Sequence, residues 1–178
     1  MGDSTITIIA IFLAAVLMFV FPLMAMSDRS DDVSQLSAQT LTTEFVDNVR
    51  TTGKLTEQNY SKYVEQLAAT GNSYDIELEA QILDENPGKK ASQTDTTKIG
   101  ENVYYNMYTS QILEQLNDTS HNGTMGFKEG DIFSTSAKNT NVTISQQLKN
   151  AFYRVTGNDT YQISAKHAGI VTVNGSNY

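Results

Sequence analysis

The chain has 178 residues, no cysteine and a net charge of −8, from 20 acidic and 12 basic side chains. Without cysteine it can form no disulfide, zinc–thiolate site, haem attachment or thiol-dependent active site. The acidic balance and the lack of a basic stripe argue against a nucleic-acid partner. The roughly 150 residues after the first 26 suit one compact domain with its own core.

The N-terminal segment from Thr5 to Met26 contains no charged residue. As a helix it would measure about 33 Å, enough for a hydrocarbon core of about 30 Å. Three interpretations compete: a cleaved secretory signal, a buried core helix and a retained membrane span. The length and the lack of a basic n-region argue against a signal, and apolar residues on every face argue against a core helix. We therefore predict a retained span, with the acidic domain outside the cytoplasm.

Helical spacing continues beyond the span in a set of apolar residues: Val33, Leu36, Leu41, Phe45 and Val49. No glycine or proline interrupts residues 27–52, so one long helix is predicted to end at Gly53, with Arg50 in its last turn. A second helix is predicted over residues 57–69, capped by Thr56. Its predicted buried face consists of Tyr60, Val64 and Leu67.

The segment from Tyr74 to Leu83 changes to a period of two, which predicts a half-buried strand. One face carries apolar side chains, namely Ile76, Leu78, Ala80 and Ile82. Glu77 and Glu79 point the other way and are interpreted as a solvated face. The sequence Asn86-Pro87-Gly88 predicts a turn after the strand.

Four elements are predicted in the C-terminal half. A third helix over Asn102–Leu116 would place four residues on one face, Tyr104, Tyr108, Ile112 and Leu116. Thr124–Lys138 is interpreted as a hairpin, and Thr143 with Gln146 as the capping box of a fourth helix. That helix would bury Ile144, Leu148, Ala151, Phe152 and Val155, and a last strand would bury Tyr161, Ile163, Ala165, Val171 and Val173.

This order predicts an α+β fold, in which a long N-terminal helix, transmembrane and continuing outside, packs with short helices on an antiparallel β-sheet. Three parts are predicted: a transmembrane or filament-core helix over residues 1–26, its extension over 27–53, and an extracytoplasmic α+β domain over 54–178.

No catalytic, cofactor-binding or metal-binding residue is predicted, and we do not expect an enzyme. The only histidines, His121 and His167, are far apart in sequence and lack a partner of metal-ligand spacing. No phosphate-binding loop, dinucleotide-binding loop or nucleophile elbow occurs.

Asn-x-Ser/Thr sequences make six asparagines candidates for glycosylation: Asn59, Asn117, Asn122, Asn141, Asn158 and Asn174. Turn-forming residues are the alternative interpretation of these asparagines.

An apolar helix at the N terminus that continues as a long amphipathic helix and then packs on an antiparallel sheet resembles type IV pilins and pseudopilins. The stretch from Thr42 to Lys90, TTEFVDNVRTTGKLTEQNYSKYVEQLAATGNSYDIELEAQILDENPGKK, is similar to Gram-positive envelope proteins of pilus systems of the tight-adherence (Tad) kind. The resemblance implies that the N-terminal helices pack in a filament core or sit in the membrane as an assembly partner. Pilins carry an early glutamate that neutralises a neighbour's terminal amine, and here the only nearby carboxylate is Asp3.

The leading functional hypothesis is a structural subunit or minor component of a pilus-like filament or its secretion apparatus. Its partners would be copies of itself, the membrane and the assembly machinery. It would reside in the cell membrane with an extracytoplasmic domain, or in a surface filament. The predicted assembly residues are Asp3, Ile6, Ile9, Phe12, Leu13, Val16, Phe19 and Pro22. The alternative is a single-pass surface module that binds a peptide, glycan or protein and does not polymerise.

Overall fold

A computed structural model of the chain describes residues 2–84, 104–118, 122–144, 146–147, 150 and 162–175. The long N-terminal helix, the short helices and the antiparallel sheets confirm the predicted α+β class. The predicted turn at Asn86 to Gly88, His121 and Tyr161 lie outside the described residues.

The first element, α1, is a single helix from Gly2 to Thr52, with Pro22 inside it. Its 51 residues give a length of about 77 Å. As predicted, the helix stops at Gly53, whose φ of +65° is the left-handed conformation that ends helices. The Gly53 N–H donates to the Val49 carbonyl oxygen at 2.8 Å and closes the last turn.

The later elements form two antiparallel sheets. In chain order they are β1 (Lys54–Thr56), α2 (Glu57–Ala68), β2 (Tyr74–Leu83), β3 (Tyr104–Tyr108), α3 (Thr109–Asn117), β4 (Thr124–Gly126), β5 (Ile132–Asn139) and β6 (Ser164–Ile170). β1 pairs with β4 in a small sheet, and the main sheet has the order β3-β2-β5-β6. Thr56 caps α2 as predicted, because its hydroxyl accepts the Asn59 N–H at 3.1 Å.

The predicted helix over Asn102–Leu116 is wrong in its first half, because Tyr104–Tyr108 is strand β3. The spacing of the tyrosines fits a helix, but aromatic residues also suit a strand, and β2 offers an edge for pairing. β3 pairs with that edge, with Tyr108 opposite Glu79. The second half of the prediction is confirmed, since Ile112 and Leu116 are buried on α3.

The predicted hairpin over Thr124–Lys138 is wrong in its pairing. The chain turns between the two strands, with Gly130 at φ +97°, but β4 and β5 belong to different sheets. The buried Asp131 carboxylate accepts the backbone N–H groups of Leu83 and Lys128, both at 2.8 Å. The turn is therefore fastened to the end of β2, and β5 pairs with β2 and β6.

The core lies between α1, α2 and the main sheet. Phe45 of α1 stacks on Tyr63 of α2 with ring centroids 4.3 Å apart, and it meets Phe133 of β5 edge-on at 5.8 Å. The Tyr63 hydroxyl shares a 2.8 Å hydrogen bond with Thr42. The predicted burial of Leu67 on α2 is confirmed, whereas Tyr63, the largest fully buried side chain among the described residues, was not part of the predicted buried face.

Two side chains of α1 bind the free edge of β6. Gln35 donates to the Ser164 carbonyl oxygen at 2.7 Å and accepts the Ser164 N–H at 2.9 Å. Arg50 donates through Nε to the Ile170 carbonyl oxygen at 2.9 Å. The 15-residue helical separation of Gln35 and Arg50 spans about 22 Å, close to the roughly 20 Å of strand from Ser164 to Ile170. α1 thus runs parallel to β6 in a fixed register and covers its edge.

The two C-terminal predictions are partly correct. Ile163, Ala165 and Val171 are buried as expected, but the strand ends at Ile170 and Val173 is exposed. The capping box is confirmed, since the Thr143 N–H donates to the Gln146 side chain and the Gln146 N–H donates to the Thr143 hydroxyl. Ile144 is 61% exposed and so departs from the predicted buried stripe, most of which lies outside the described residues.

Tyr63 predicts how stability depends on alkaline pH. Burial raises the pKa of Tyr63 from 10.0 to about 12. The stabilisation from its neutral phenol is therefore complete below pH 10 and is lost as the pH rises toward 12, because the unfolded chain ionises first. At pH 7 the free energy of unfolding of the Tyr63→Phe variant should be about 1 kcal/mol lower than that of the wild type, because Thr42 loses its hydrogen-bond partner. Above pH 10 the free energy of unfolding of the variant should fall less steeply with pH. Urea unfolding of the detergent-solubilised chain, followed by far-ultraviolet circular dichroism, measures both effects. Tyr108→Phe, at an exposed site, is the control, and equal slopes in all three chains would contradict the prediction.

Gly53 predicts a second stability effect. A Cβ there would overlap the Val173 carbonyl oxygen and the backbone of Gly175, and φ is already positive. Gly53→Ala should therefore lower the free energy of unfolding by at least about 2 kcal/mol. Gly71→Ala is the matched control, because Gly71 has φ +82° but no atom within 4 Å of its added Cβ. The same urea titration should give it a loss of only about 1 kcal/mol. Equal losses for the two variants would show that the packing around Gly53 is not the cause.

Candidate functional site

The N-terminal half of α1 extends away from the folded domain. Every side chain from Ser4 to Val16 is exposed, and no residue of the most apolar 18-residue window is buried. This part of α1 is long and apolar enough to cross a membrane. We call residues 4–26 the apolar segment.

The predicted assembly residues lie on this segment, except Asp3, which directly precedes it. Six of them are large apolar side chains between 39% and 77% exposed: Ile6, Ile9, Phe12, Leu13, Val16 and Phe19. Pro22 lies in the same helix, which continues past it to Thr52. Asp3 is in the first turn of α1. The exposed residues point in all directions around the helix, so the segment can contact lipid or protein on any side.

Just beyond the apolar segment, α1 turns polar side chains toward the domain and apolar side chains toward solvent. Asp31 and Ser34 face the domain and are buried, with the Asp31 carboxylate accepting the Thr143 hydroxyl at 2.8 Å. Val33 and Leu36, by contrast, are each 65% exposed. The sequence pattern places Val33 and Leu36 on the same apolar stripe as Phe45 and does not show this division. The spacing of the four residues indicates the division, because Val33 and Leu36 lie on a different face of the helix from Asp31 and Ser34. A helix cannot bury both faces against one partner.

A groove follows this exposed face of α1. Its volume is about 1060 Å³. The second wall is the C-terminal end of α2 and the residues that follow, Gln66, Ala69 and Thr70. The α1 wall includes Met26, Arg29, Val33, Leu36, Leu41 and Glu44. We call this feature the α1–α2 groove, and it begins where the apolar segment ends.

His167 lies against the C-terminal end of α1, close to charged side chains of that helix. Its Nε2 is 3.7 Å from the Asp47 carboxylate, which also accepts Arg50 Nη1 at 2.8 Å. Arg50 crosses directly over Gly169, where any Cβ would overlap the guanidinium group. This cluster joins the end of α1 to β6, which is a structural role. Among the described residues, no group of three histidine, aspartate or glutamate side chains is placed to hold a metal ion.

The outer face of the main sheet holds a second, polar cavity of about 530 Å³. Glu77 and Glu79 project there, as predicted, opposite Ser136 and Ser134 of β5. Tyr108 and Lys166 stand on either side of the cavity. Two small serines between larger side chains make this face concave.

The sequon asparagines differ in their surroundings. Three have side chains that form hydrogen bonds to other residues: Asn59 to Asn48, Asn141 to Ser73 and Asn72, and Asn174 to the Glu129 N–H. Asn117 at the end of α3 and Asn122 in a left-handed turn are exposed. Asn158 lies outside the described residues.

Comparisons with known proteins give no match. No family model, curated protein or solved structure matches the chain.

The exposure of the sequon asparagines predicts which of them can be glycosylated. In a host that modifies Asn-x-Ser/Thr sequences, Asn117 and Asn122 should carry glycans, because their amides are accessible. Asn141 should remain unmodified, because its amide bonds to both Asn72 and Ser73 in the loop after α2. Mass spectrometry of glycopeptides measures each occupancy, and Thr124→Ala is a control that should remove only the Asn122 glycan. Full occupancy of Asn141 would contradict the prediction.

Proposed function

We propose that this protein is an envelope protein held in the membrane by the apolar segment, and that it is a structural subunit or minor component of a pilus-like filament or its assembly apparatus. The observation that carries the proposal is the continuity of α1. One helix forms both the bare apolar segment and the inner layer of the folded domain.

The exposed apolar segment needs a nonaqueous environment. Burying one large apolar side chain contributes about 1.5–3 kcal/mol, and at least ten such side chains are exposed before residue 24. Lipid provides this environment for a single copy. Helices of other copies provide it when the subunit leaves the bilayer, and both states use the same side chains.

The connection to the domain is rigid. Phe45, Val46 and Val49 bury the C-terminal half of α1 in the core, and no linker separates this half from the apolar segment. A displacement of the apolar segment along its axis therefore moves the whole domain with it. A filament subunit requires this coupling, whereas a surface receptor on an anchor functions with a flexible linker.

A second candidate function is a membrane-anchored binding module that does not polymerise. The polar cavity on the outer sheet face favours it, because carboxylates, serine hydroxyls and an exposed tyrosine ring suit a hydroxyl-rich ligand such as a glycan. In this alternative the apolar segment has lipid as its only partner, and chemical cross-linking of the membrane-bound chain gives monomer.

Membrane retention tests the anchor. The full chain should remain in the membrane pellet after alkaline carbonate extraction. Leu13→Arg should lower the membrane-bound fraction markedly, because arginine in the middle of a span costs about 2.5–3.5 kcal/mol. Asp32→Arg, at an exposed position beyond the apolar segment, is the control and should remain bound. A wild-type chain that is extracted, or whose mature form begins near Ser27, would contradict the anchor.

Self-association tests the filament proposal at matched membrane levels. Cross-linking of wild-type cells should give a ladder of oligomers, and electron microscopy of sheared surface material should show filaments that bind an antibody to the domain. Cross-linked monomer together with bare shear fractions would favour the binding module.

A further inference from the structure

The exposed apolar residues beyond the membrane span require a partner. The apolar segment already fills a hydrocarbon core of about 30 Å, and the headgroup layer adds only about 5–8 Å on each side. Leu36 lies ten residues beyond Met26, or about 15 Å further along the helix. Lipid around a fully inserted segment therefore does not reach Leu36, which is 65% exposed in the wall of the α1–α2 groove.

We infer that the α1–α2 groove holds the apolar segment of a second copy of this chain, parallel to α1 and displaced outward by about 26 residues. This inference rests on the proposed assembly function and specifies its contact. The groove begins at Met26 and ends at Glu44, a distance of about 27 Å. That length accommodates most of the apolar segment.

Charge complementarity sets the displacement. Asp3 is the only acidic residue before the apolar segment, and Arg29 is the only basic residue between Met1 and Val49. Arg29 is exposed at the end of the groove nearest the membrane. A displacement of 26 residues, or about 39 Å, brings Asp3 of one copy level with Arg29 of the next. Since a carboxylate beside an apolar bundle is costly unless paired, this pair selects that displacement.

The side-chain sizes agree with the same displacement. It sets two large groove residues opposite alanines of the neighbour, Leu36 opposite Ala10 and Leu41 opposite Ala15. It also sets Val33 opposite Thr7, two side chains of similar size. Large and small side chains at facing positions allow close packing of two helices. With no displacement, Val33 would meet Val33 and Leu36 would meet Leu36, and Arg29 would lie beside Arg29.

The contact is heterologous, because each copy offers an apolar segment to one neighbour and a groove to another. Such a contact repeats without closing and generates an open filament. The exposed face of Val33 and Leu36 would then be covered in the filament and uncovered in the membrane-bound monomer.

Engineered cysteines test the displacement in the full chain, which has no native cysteine. Cells that express Thr7→Cys and Val33→Cys chains together should form a disulfide-linked dimer on mild oxidation, and so should Ala10→Cys with Leu36→Cys. Val33→Cys alone should not link. Asp32→Cys, at the same level of α1 but on another face, is the matched control and should not link to Thr7→Cys.

Charge reversal gives an independent measurement. Arg29→Asp should lower the oligomer yield about tenfold at matched membrane levels, because it places two carboxylates together. Adding Asp3→Arg in the same chain should restore the yield, and Asp32→Arg should leave it unchanged. If wild type forms oligomers but Val33→Cys links to itself, or if Arg29→Asp has no effect, the displacement is wrong and self-association stands. If wild type forms no oligomer at all, the proposed assembly function fails together with this inference.

Discussion

The packing of residues 31–50 of α1 against the main sheet is the contact on which the rest of the structure depends. It buries Phe45, Val46 and Val49 beneath β5 and β6, and it orders α2 through the stacked ring of Tyr63. Gln35 and Arg50 then fix the helix axially, because their spacing matches the length of β6. Without this register the domain would have no defined position along the helix, and the apolar segment would have no defined relation to the domain.

That contact also explains the inverted pattern around Asp31. The end of the domain nearest the apolar segment is polar, since Asp31 binds Thr143, and Asn141 joins the loop after α2 to the loop after β5. Polar side chains therefore fill the inward face of α1 at this level, and the apolar Val33 and Leu36 are left outward. A monomer gains nothing from this arrangement, whereas a subunit that packs against another helix gains buried apolar area.

The two exposed faces of the domain differ in chemistry. The α1–α2 groove is apolar and continuous with the apolar segment, which suits contact between copies. The outer sheet face is polar, with carboxylates, hydroxyls and a tyrosine around a shallow cavity. If α1 is directed to the interior of an assembly, the outer sheet face is directed to the surroundings, and binding of an external ligand there is compatible with assembly.

The sequence by itself determined the elements whose signals are local. The charge-free segment and the absence of glycine or proline from residues 27–52 specified α1, and the alternation from Tyr74 to Leu83 specified the exact bounds of β2. Tertiary structure decided the pairing of the other strands and the burial of α1, because these features depend on contacts with residues distant in the chain. The tyrosines of β3 have helical spacing, but they pair with the edge of β2. Asp131 ties its turn to β2, so β4 and β5 do not form a hairpin. Val33 and Phe45 share one apolar stripe in the sequence, and only the position of the sheet shows that one is exposed and the other buried.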